Sequence, residues 1–409
     1  MSDPSLADQG ARRVAWAERT MPVLGLLRQR WAEQRPLAGR VVAACMHVTT
    51  ETAALVRTLT VGGAEVHLAA SNPLSTQDDV AAALVAQGVG VFARHGIDRA
   101  GYAAHLSAAL DAGPDLVLDD GCDLVQLLHA EPARLAGVRA GVEETTTGVL
   151  RLRQMSAEGA LELPMVAVND TAVQRLVANR HGTGQSTLDA VLRATGVLLA
   201  GSTVVVAGYG PCGRGIAERA RGLGAHVVVT EVDAGRALEA VLDGHRVLPM
   251  EQAAVEAHVL ITATGDRGVL RGEHLPLLRD GAVLANAGHF DVELDVPALE
   301  AAAVQVSRRV RPFVDSFELA DGRRLLLLAE GRLANLAAAE GHPAAVMDVS
   351  FAVQALTLEW LVQTDLEPGV HQVPATIDDE VARTKLAALG VRLDVLTGDQ
   401  ERYLSSWRV

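Results

Sequence analysis

An α/β fold is what this sequence predicts: two doubly wound, parallel-sheet domains around a cleft, followed by a helical C-terminal tail. Three observations carry the prediction. Short apolar runs alternate with helix-period segments twice along the chain, from 38 to 130 and again from about 186. A glycine-rich turn, GYGPCG at 208–213, joins one such run to one such segment. A hydrophobic content of 49% with only 3% aromatics suits an Ala/Val/Leu-rich interior and argues against a disordered chain.

The first alternation opens with VVAACM (41–46), short and apolar enough for a buried strand. TTETAALVRTLTVGG follows as a helix closed by glycine, AEVHLAA as a strand, and STQDDVAAALVAQG as a helix with a Ser/Thr start and a Gly stop. GVGVFA and DLVLDD are strands, with YAAHLSAALDAG as a helix between them. In a doubly wound sheet functional residues collect where strands end, which points to His47, Asn72, Asp119 and Asp120. The second alternation runs through TLDAVLRATGVLLAG, a strand–turn–helix–strand unit at 202–233, and then RALEAVLDG, HRVLPM, HVLITATG and GAVLANAG. Residues 342–375 read as apolar and helical, returning to the first domain, and 376–409 as an amphipathic helical tail suited to packing on another subunit.

With 409 residues the chain can hold more than one large core. Its net charge of −14 makes nucleic acid an unsuitable partner. Cys45, Cys122 and Cys212 have neither metal-ligand spacing nor a pairing framework, so no metal is expected and a reducing cytoplasm is the natural setting. The N-terminal MSDPSLADQGARRVAWAERT has no apolar signal core, and no run of about 18 apolar residues is read, so no membrane span is expected.

GYGPCG fits G-x-G-x-x-G, with Gly208, Gly210 and Gly213 as its glycines and Cys212 inside the turn. It follows the strand TVVVA and opens a helix, the arrangement in which backbone can approach a pyrophosphate at a helix N-terminus. Glu231 ends the next strand, 23 residues after Gly208. A carboxylate there accepts from a ribose diol and repels a 2′-phosphate, so the expected cofactor is NAD in a Rossmann-like domain.

Further blocks lie outside this turn: MHVTTETAALVRTLTVGGAEV, SNPLSTQDD, LDDGCDL, EETTTGVLRL, VND, NRHGTGQST, NAGHFDVELDV and LAEGRLANLAAAEGHP. In this order they resemble the S-adenosylhomocysteine hydrolase family, nearly end to end. The resemblance implies a substrate-binding domain over 1–180, an NAD-binding domain over 181–341, a return segment over 342–375 and an oligomerisation tail over 376–409, with a homotetramer as the assembly. It implies a tightly bound, recycled NAD that oxidises the 3′-hydroxyl of an adenine nucleoside. The ketone acidifies the neighbouring C–H, the 5′ substituent leaves, water adds, and the ketone is reduced.

The resemblance gives Thr49, Glu51, Gly341 and His342 to adenine, Asp120 and Glu144 to the sugar and its proton chemistry, and His47 and His289 to the 5′ end. It gives Thr145, Thr146, Thr147, Asn179, Glu231, Arg236, Thr264, Gly288 and Asn335 to NAD. The bland readings are helix caps for EETTTG and His47, and a turn histidine before proline for His342.

In the gap-free register from Glu144 to Gly182, the family pattern places a lysine at Gln174 and an aspartate at Ala178. A Gln side chain is no base near neutral pH, and Ala carries nothing. Lys385 is the single lysine of the chain, so no local lysine substitutes. The resulting expectation is a diverged NAD-dependent enzyme that oxidises, eliminates and reduces without adding water. Loss of the terminal sugar hydroxyl would leave an exocyclic enol ether, as in the antibiotic conversion of psicofuranine to decoyinine (angustmycin C to A). The alternatives are ordinary S-adenosylhomocysteine hydrolysis and a non-catalytic NAD- and nucleoside-binding regulator. Gln174 is then a substrate-contact residue rather than a base.

Overall fold

The computed structural model describes residues 3–288 and 291–407. Its fifteen strands in chain order are β1 (Val41–Met46), β2 (Glu65–Ala70), β3 (Gly90–Phe92), β4 (Leu116–Asp119), β5 (Ala140–Glu143), β6 (Pro164–Ala167), β7 (Thr203–Ala207), β8 (His226–Thr230), β9 (Arg246–Val247), β10 (Val259–Thr262), β11 (Val283–Asn286), β12 (Ala303–Arg311), β13 (Val314–Leu319), β14 (Arg324–Leu328) and β15 (Gly369–Gln372). They form two sheets.

The first sheet has the order β15-β6-β5-β4-β1-β2-β3 and is parallel throughout. Strands β1, β4, β5 and β6 are apolar runs without alternation, because helices cover both faces of a parallel sheet. The strand order reverses between β1 and β4, so the crevice beyond their C-terminal ends opens beside His47 and Asp120. The second sheet has the order β12-β13-β14-β11-β10-β7-β8-β9 and reverses between β7 and β10. Its crevice therefore lies beside the glycine-rich turn and Thr264.

Several elements exceed the sequence reading. Two helices, Ala7–Glu18 and Pro22–Gln34, precede β1. An antiparallel meander, β12-β13-β14, ends the second sheet. The segment 342–375 is not helical throughout: β15 pairs with β6 at the edge of the first sheet. HRVLPM contributes only the two-residue strand β9. The helix Ala344–Gln363 is long and apolar enough to cross a membrane, but 67% of its apolar window is buried inside the protein. There it packs against the helices Pro22–Gln34, Thr50–Val61 and Ala375–Ala388. In the tail, Ala375–Ala388 buries Ile377 and Val381, whereas Gly398–Ser405 buries nothing.

The chain passes from the first lobe to the second through a π-helix, Arg175–Gly182, which runs into the helix Thr183–Thr195. The glycines of NRHGTG serve close approach here. A Cβ on Gly215 would stand 1.8 Å from the Arg180 carbonyl oxygen, and one on Gly184 would stand 2.5 Å from the Gly215 carbonyl carbon. This junction is thereby locked against the helix Pro211–Gly222.

Candidate active site between the two sheets

His47 follows β1 directly. Its carbonyl accepts from the Thr52 hydroxyl at 2.5 Å, which fixes the turn. Its ring Nδ1 lies 2.6 Å from Ser75 Oγ, and its Nε2 lies 3.5 Å from Asp120 Oδ2. The Ser71 hydroxyl donates to the same Asp120 oxygen at 3.1 Å. His47, Asn72 and Ser75 of the first lobe face Asp291, Arg332 and Leu336 of the second across one cavity of about 230 Å³. Asp119, a strand-end candidate, is corrected: it is wholly buried and accepts from the backbone N–H groups of Asp120 and Val125, so it holds the turn after β4.

EETTTG divides its work. Glu143 is wholly buried, and its carboxylate accepts from the backbone N–H of Gly121, Cys122 and Thr145 and from the Thr145 hydroxyl. Burial raises its pKa, with Asp119 adding to the effect. Thr145 caps the helix Thr146–Ala157 by accepting from Gly148 N–H, so its hydroxyl is engaged within the protein. The Thr146 hydroxyl accepts from Asn169 Nδ2 at 2.9 Å, and Thr147 stands beside it on the first helical turn.

Glu144 is aimed the other way, into a cage of neutral donors. Its Oε1 accepts from Gln174 Nε2 at 2.7 Å and from the Ser350 hydroxyl at 2.6 Å; its Oε2 accepts from Gln354 Nε2. Burial pushes this carboxyl up from 4.5 to about 7; the Ser350 hydrogen bond opposes the rise and the nearby Asp120 adds to it. The Gln174 and Gln354 Oε1 atoms are both buried without a hydrogen-bond partner. Ala178, four residues beyond Gln174, is also buried.

Thr49 caps the helix Thr50–Val61, and Glu51 in its first turn accepts from the Thr50 hydroxyl at 2.8 Å. Gly341 adopts φ +79°, the left-handed turn that presents His342. His342 Nε2 lies 3.1 Å from Thr183 Oγ1, which joins the return segment to the second lobe. Burial, with His47 adding, lowers the His342 pKa from 6.5 to about 4, so its imidazole is neutral at neutral pH.

In the second lobe, Gly208 takes φ +95°, and a Cβ on Gly213 would fall 1.9 Å from the Gly208 carbonyl oxygen. Only glycine fits either position. Around Gly210 the nearest atom to an added Cβ is Arg236 Nη1 at 3.8 Å, which leaves open space above the helix N-terminus. Glu231 Oε2 accepts from Tyr209 N–H at 2.7 Å, and its Oε1 accepts from Val232 and Asp233 N–H. Glu293 is a residue the sequence reading missed. It is buried and accepts from the Thr264 N–H and hydroxyl and from Gly265 N–H. A Cβ on Gly288 would lie 1.7 Å from Glu293 Oε1, so this carboxylate ties the loops after β10 and β11 together. The one signal was an alternation of acids, Asp291, Glu293 and Asp295, in the stretch following NAGHF. Asn335 Nδ2 donates to Ser186 Oγ at 3.0 Å, while its Oδ1 is buried and unpartnered. Asn179 sits on the π-helix and Cys212 in the first turn of Pro211–Gly222, its thiol raised by burial. His289 lies outside the described residues.

Residues 1–140 match the family model described as S-adenosyl-L-homocysteine hydrolase, and 179–341 match its NAD-binding domain. An adenosylhomocysteinase from Aquifex aeolicus is 56% identical over 413 residues, covering all of this chain and 99% of the relative. The chain belongs to the S-adenosyl-L-homocysteine hydrolase family. Another relative, named S-inosyl-L-homocysteine hydrolase, from Methanopyrus kandleri, is 51% identical and covers 99% of the chain and 96% of the relative. A crystal structure of a dipicolinate synthase chain from Bacillus halodurans is 14% identical with a TM-score of 0.53, covering 79% of this protein and 99% of that one. It shares the fold alone.

As an S-adenosyl-L-homocysteine hydrolase family enzyme, the protein uses NAD, and the residues present fit it. The glycine turn leaves room for a pyrophosphate, Glu231 Oε2, which carries a single N–H, retains acceptor capacity for a ribose hydroxyl, and the bare Asn335 Oδ1 awaits a donor.

Proposed function

We propose that this enzyme eliminates water from an adenine nucleoside in a redox-neutral, NAD-dependent cycle, leaving an exocyclic enol ether on a ketose sugar of the psicofuranine kind. The observation that carries the reading is the neutral Gln174 amide on Glu144, where the family pattern has a lysine. Bound NAD supplies the reversible hydride acceptor that makes the sugar carbinol a ketone and restores it. The protein's part is proton traffic. Hydroxide is a poor leaving group and needs an acid. Asp120 takes the proton from the carbon beside the ketone, and His47, 3.5 Å away, delivers one to the departing hydroxyl. A proton shift between the two restores both, and one water has left.

A second reading, hydrolysis of adenosylhomocysteine, is favoured by the names of the relatives and by identities above one half along the whole chain. The relative named for an inosyl substrate indicates that the purine base is not fixed at such identity.

Mass spectrometry in D2O separates the readings. Protein with NAD is given adenosylhomocysteine, adenosine and psicofuranine in separate reactions. Loss of one water from psicofuranine, without thiol from adenosylhomocysteine, supports the dehydratase. Thiol and adenosine from adenosylhomocysteine establish the hydrolase in its place.

A further inference from the structure

We infer that Glu144 is the group that takes the proton of the oxidised sugar hydroxyl, holds it while the ketone exists, and returns it on reduction. The inference rests on the oxidation–reduction cycle proposed above, not on which group leaves in between.

Gln174, held at the end of the short helix Ala172–Gln174 by its Thr171 cap, points its amide at Glu144 and has no basic atom. The single lysine has not moved into the site. Lys385 Nζ lies 2.8 Å from Asp348 Oδ2, and Asp348 in turn accepts from Val23 and Leu24 N–H at the start of Pro22–Gln34. His342, stripped of basicity by burial, is a poor acceptor at neutral pH.

Among the described residues, Glu144 combines a half-buried carboxylate beside the candidate sugar contacts with hydrogen-bond partners that are all neutral. The groups that face it are Gln174 from the short helix, Ser350 and Gln354 from Ala344–Gln363, and the charge of Asp120 after β4, with His47 beyond Asp120. None is a cation. A lysine at 174 would hold this carboxylate ionised; an amide leaves both protonation states accessible, consistent with titration near 7. In the oxidation step the hydroxyl O–H bond breaks, its proton passes to the Glu144 carboxylate, and the carbon-bound hydrogen leaves with its electron pair to the nicotinamide. The resulting neutral acid then donates a hydrogen bond to the ketone oxygen, which stabilises the carbanion formed next. The stored proton goes back to that oxygen as the hydride returns, so the cycle closes without a proton from solvent.

Two measurements on the holoenzyme test this. First, infrared difference spectra across pH, with and without Glu144→Gln, should show a carboxylic acid band that titrates near pH 7 and vanishes in the variant. A Glu144 that is already ionised at pH 5, near its ordinary range, overturns the proposal whether or not a substrate is known. Second, adenosine should reduce the bound NAD, and Glu144→Gln should slow that reduction by roughly 10²-fold or more. Gln174→Lys, which preserves Glu144, should move the acidic limb of the rate toward lower pH. Reduction within about threefold of wild type in Glu144→Gln, or an unmoved limb in Gln174→Lys, overturns it. Failure of the dehydratase reading looks different: NAD is reduced in a Glu144-dependent way, but no nucleoside loses water.

Discussion

The Gln174 side-chain amide donates to Glu144 Oε1 at 2.7 Å, and the carbonyl end of the same amide is buried with no partner. A donor is thus satisfied and an acceptor left bare inside one site. A buried acceptor without a donor costs about 1–3 kcal/mol, and such a cost is kept where something else uses the arrangement.

Restoring the family pair is the direct test of what the amide replaced. Gln174→Lys with Ala178→Asp should raise thiol release from adenosylhomocysteine by roughly 10²-fold, the usual worth of a positioned acid–base group. A thiol-trapping assay reads it. No gain would falsify the idea that these two positions alone separate this chain from thioether hydrolysis.

Glu144 also sets a pH dependence of stability. Its pKa is raised on folding, from 4.5 to about 7, so between those values the folded state binds more protons than the unfolded one. The contribution is fully present below 4.5 and is lost as pH rises through 7. The loss is on the order of 3 kcal/mol. Glu144→Gln lacks this slope, so its melting temperature should gain on wild type as pH is raised across the window. Parallel curves for the two proteins would contradict the assignment.

Gly213→Ala places a methyl 1.9 Å from the Gly208 carbonyl oxygen, where nothing can yield except the turn itself. Purified variant protein should carry less than about a tenth of the wild-type NAD, a loss of about 1.4 kcal/mol or more. Released nucleotide, measured chromatographically, checks this.

Glu293→Ala removes the acceptor shared by Thr264 and Gly265 N–H. It should weaken NAD binding by about tenfold, because two loop amides lose their partner and each costs about 1–3 kcal/mol. A titration with NAD decides; unchanged affinity would mean that the loops hold their form without it.

Much of this fold could be read before the structure because its signals are local. VVAACM, LVLD and PMVA are buried on both faces and contain nothing but strand. The glycine turn is legible because Gly208 and Gly213 are steric necessities. The meander at 303–328 was not legible: β12 reads AVQVSRRVR, arginine-rich and mostly exposed, so no buried face marks it as a strand. The Glu144 cage was legible only in part. Gln174 could be placed near it through the family register, but Ser350 and Gln354 lie 206 and 210 residues away in a helix whose few polar residues are scattered among apolar ones. Glu293 left no periodic trace either, since it sits in the loop after β11 and its partners lie in the loop after β10.

The π-helix at Arg175–Gly182 has a consequence of its own. A wider turn takes in more chain per revolution, so the segment acts as a phase shifter between the helix ahead of it and the helix behind. Deleting one residue there would do more than shorten the link. It would turn everything downstream by roughly 100° relative to Gln174. The amide would keep its place against Glu144 while Asn179 and Thr183 swung off their neighbours. The length of this link therefore behaves like the tooth count of a gear, and the two halves mesh at one setting.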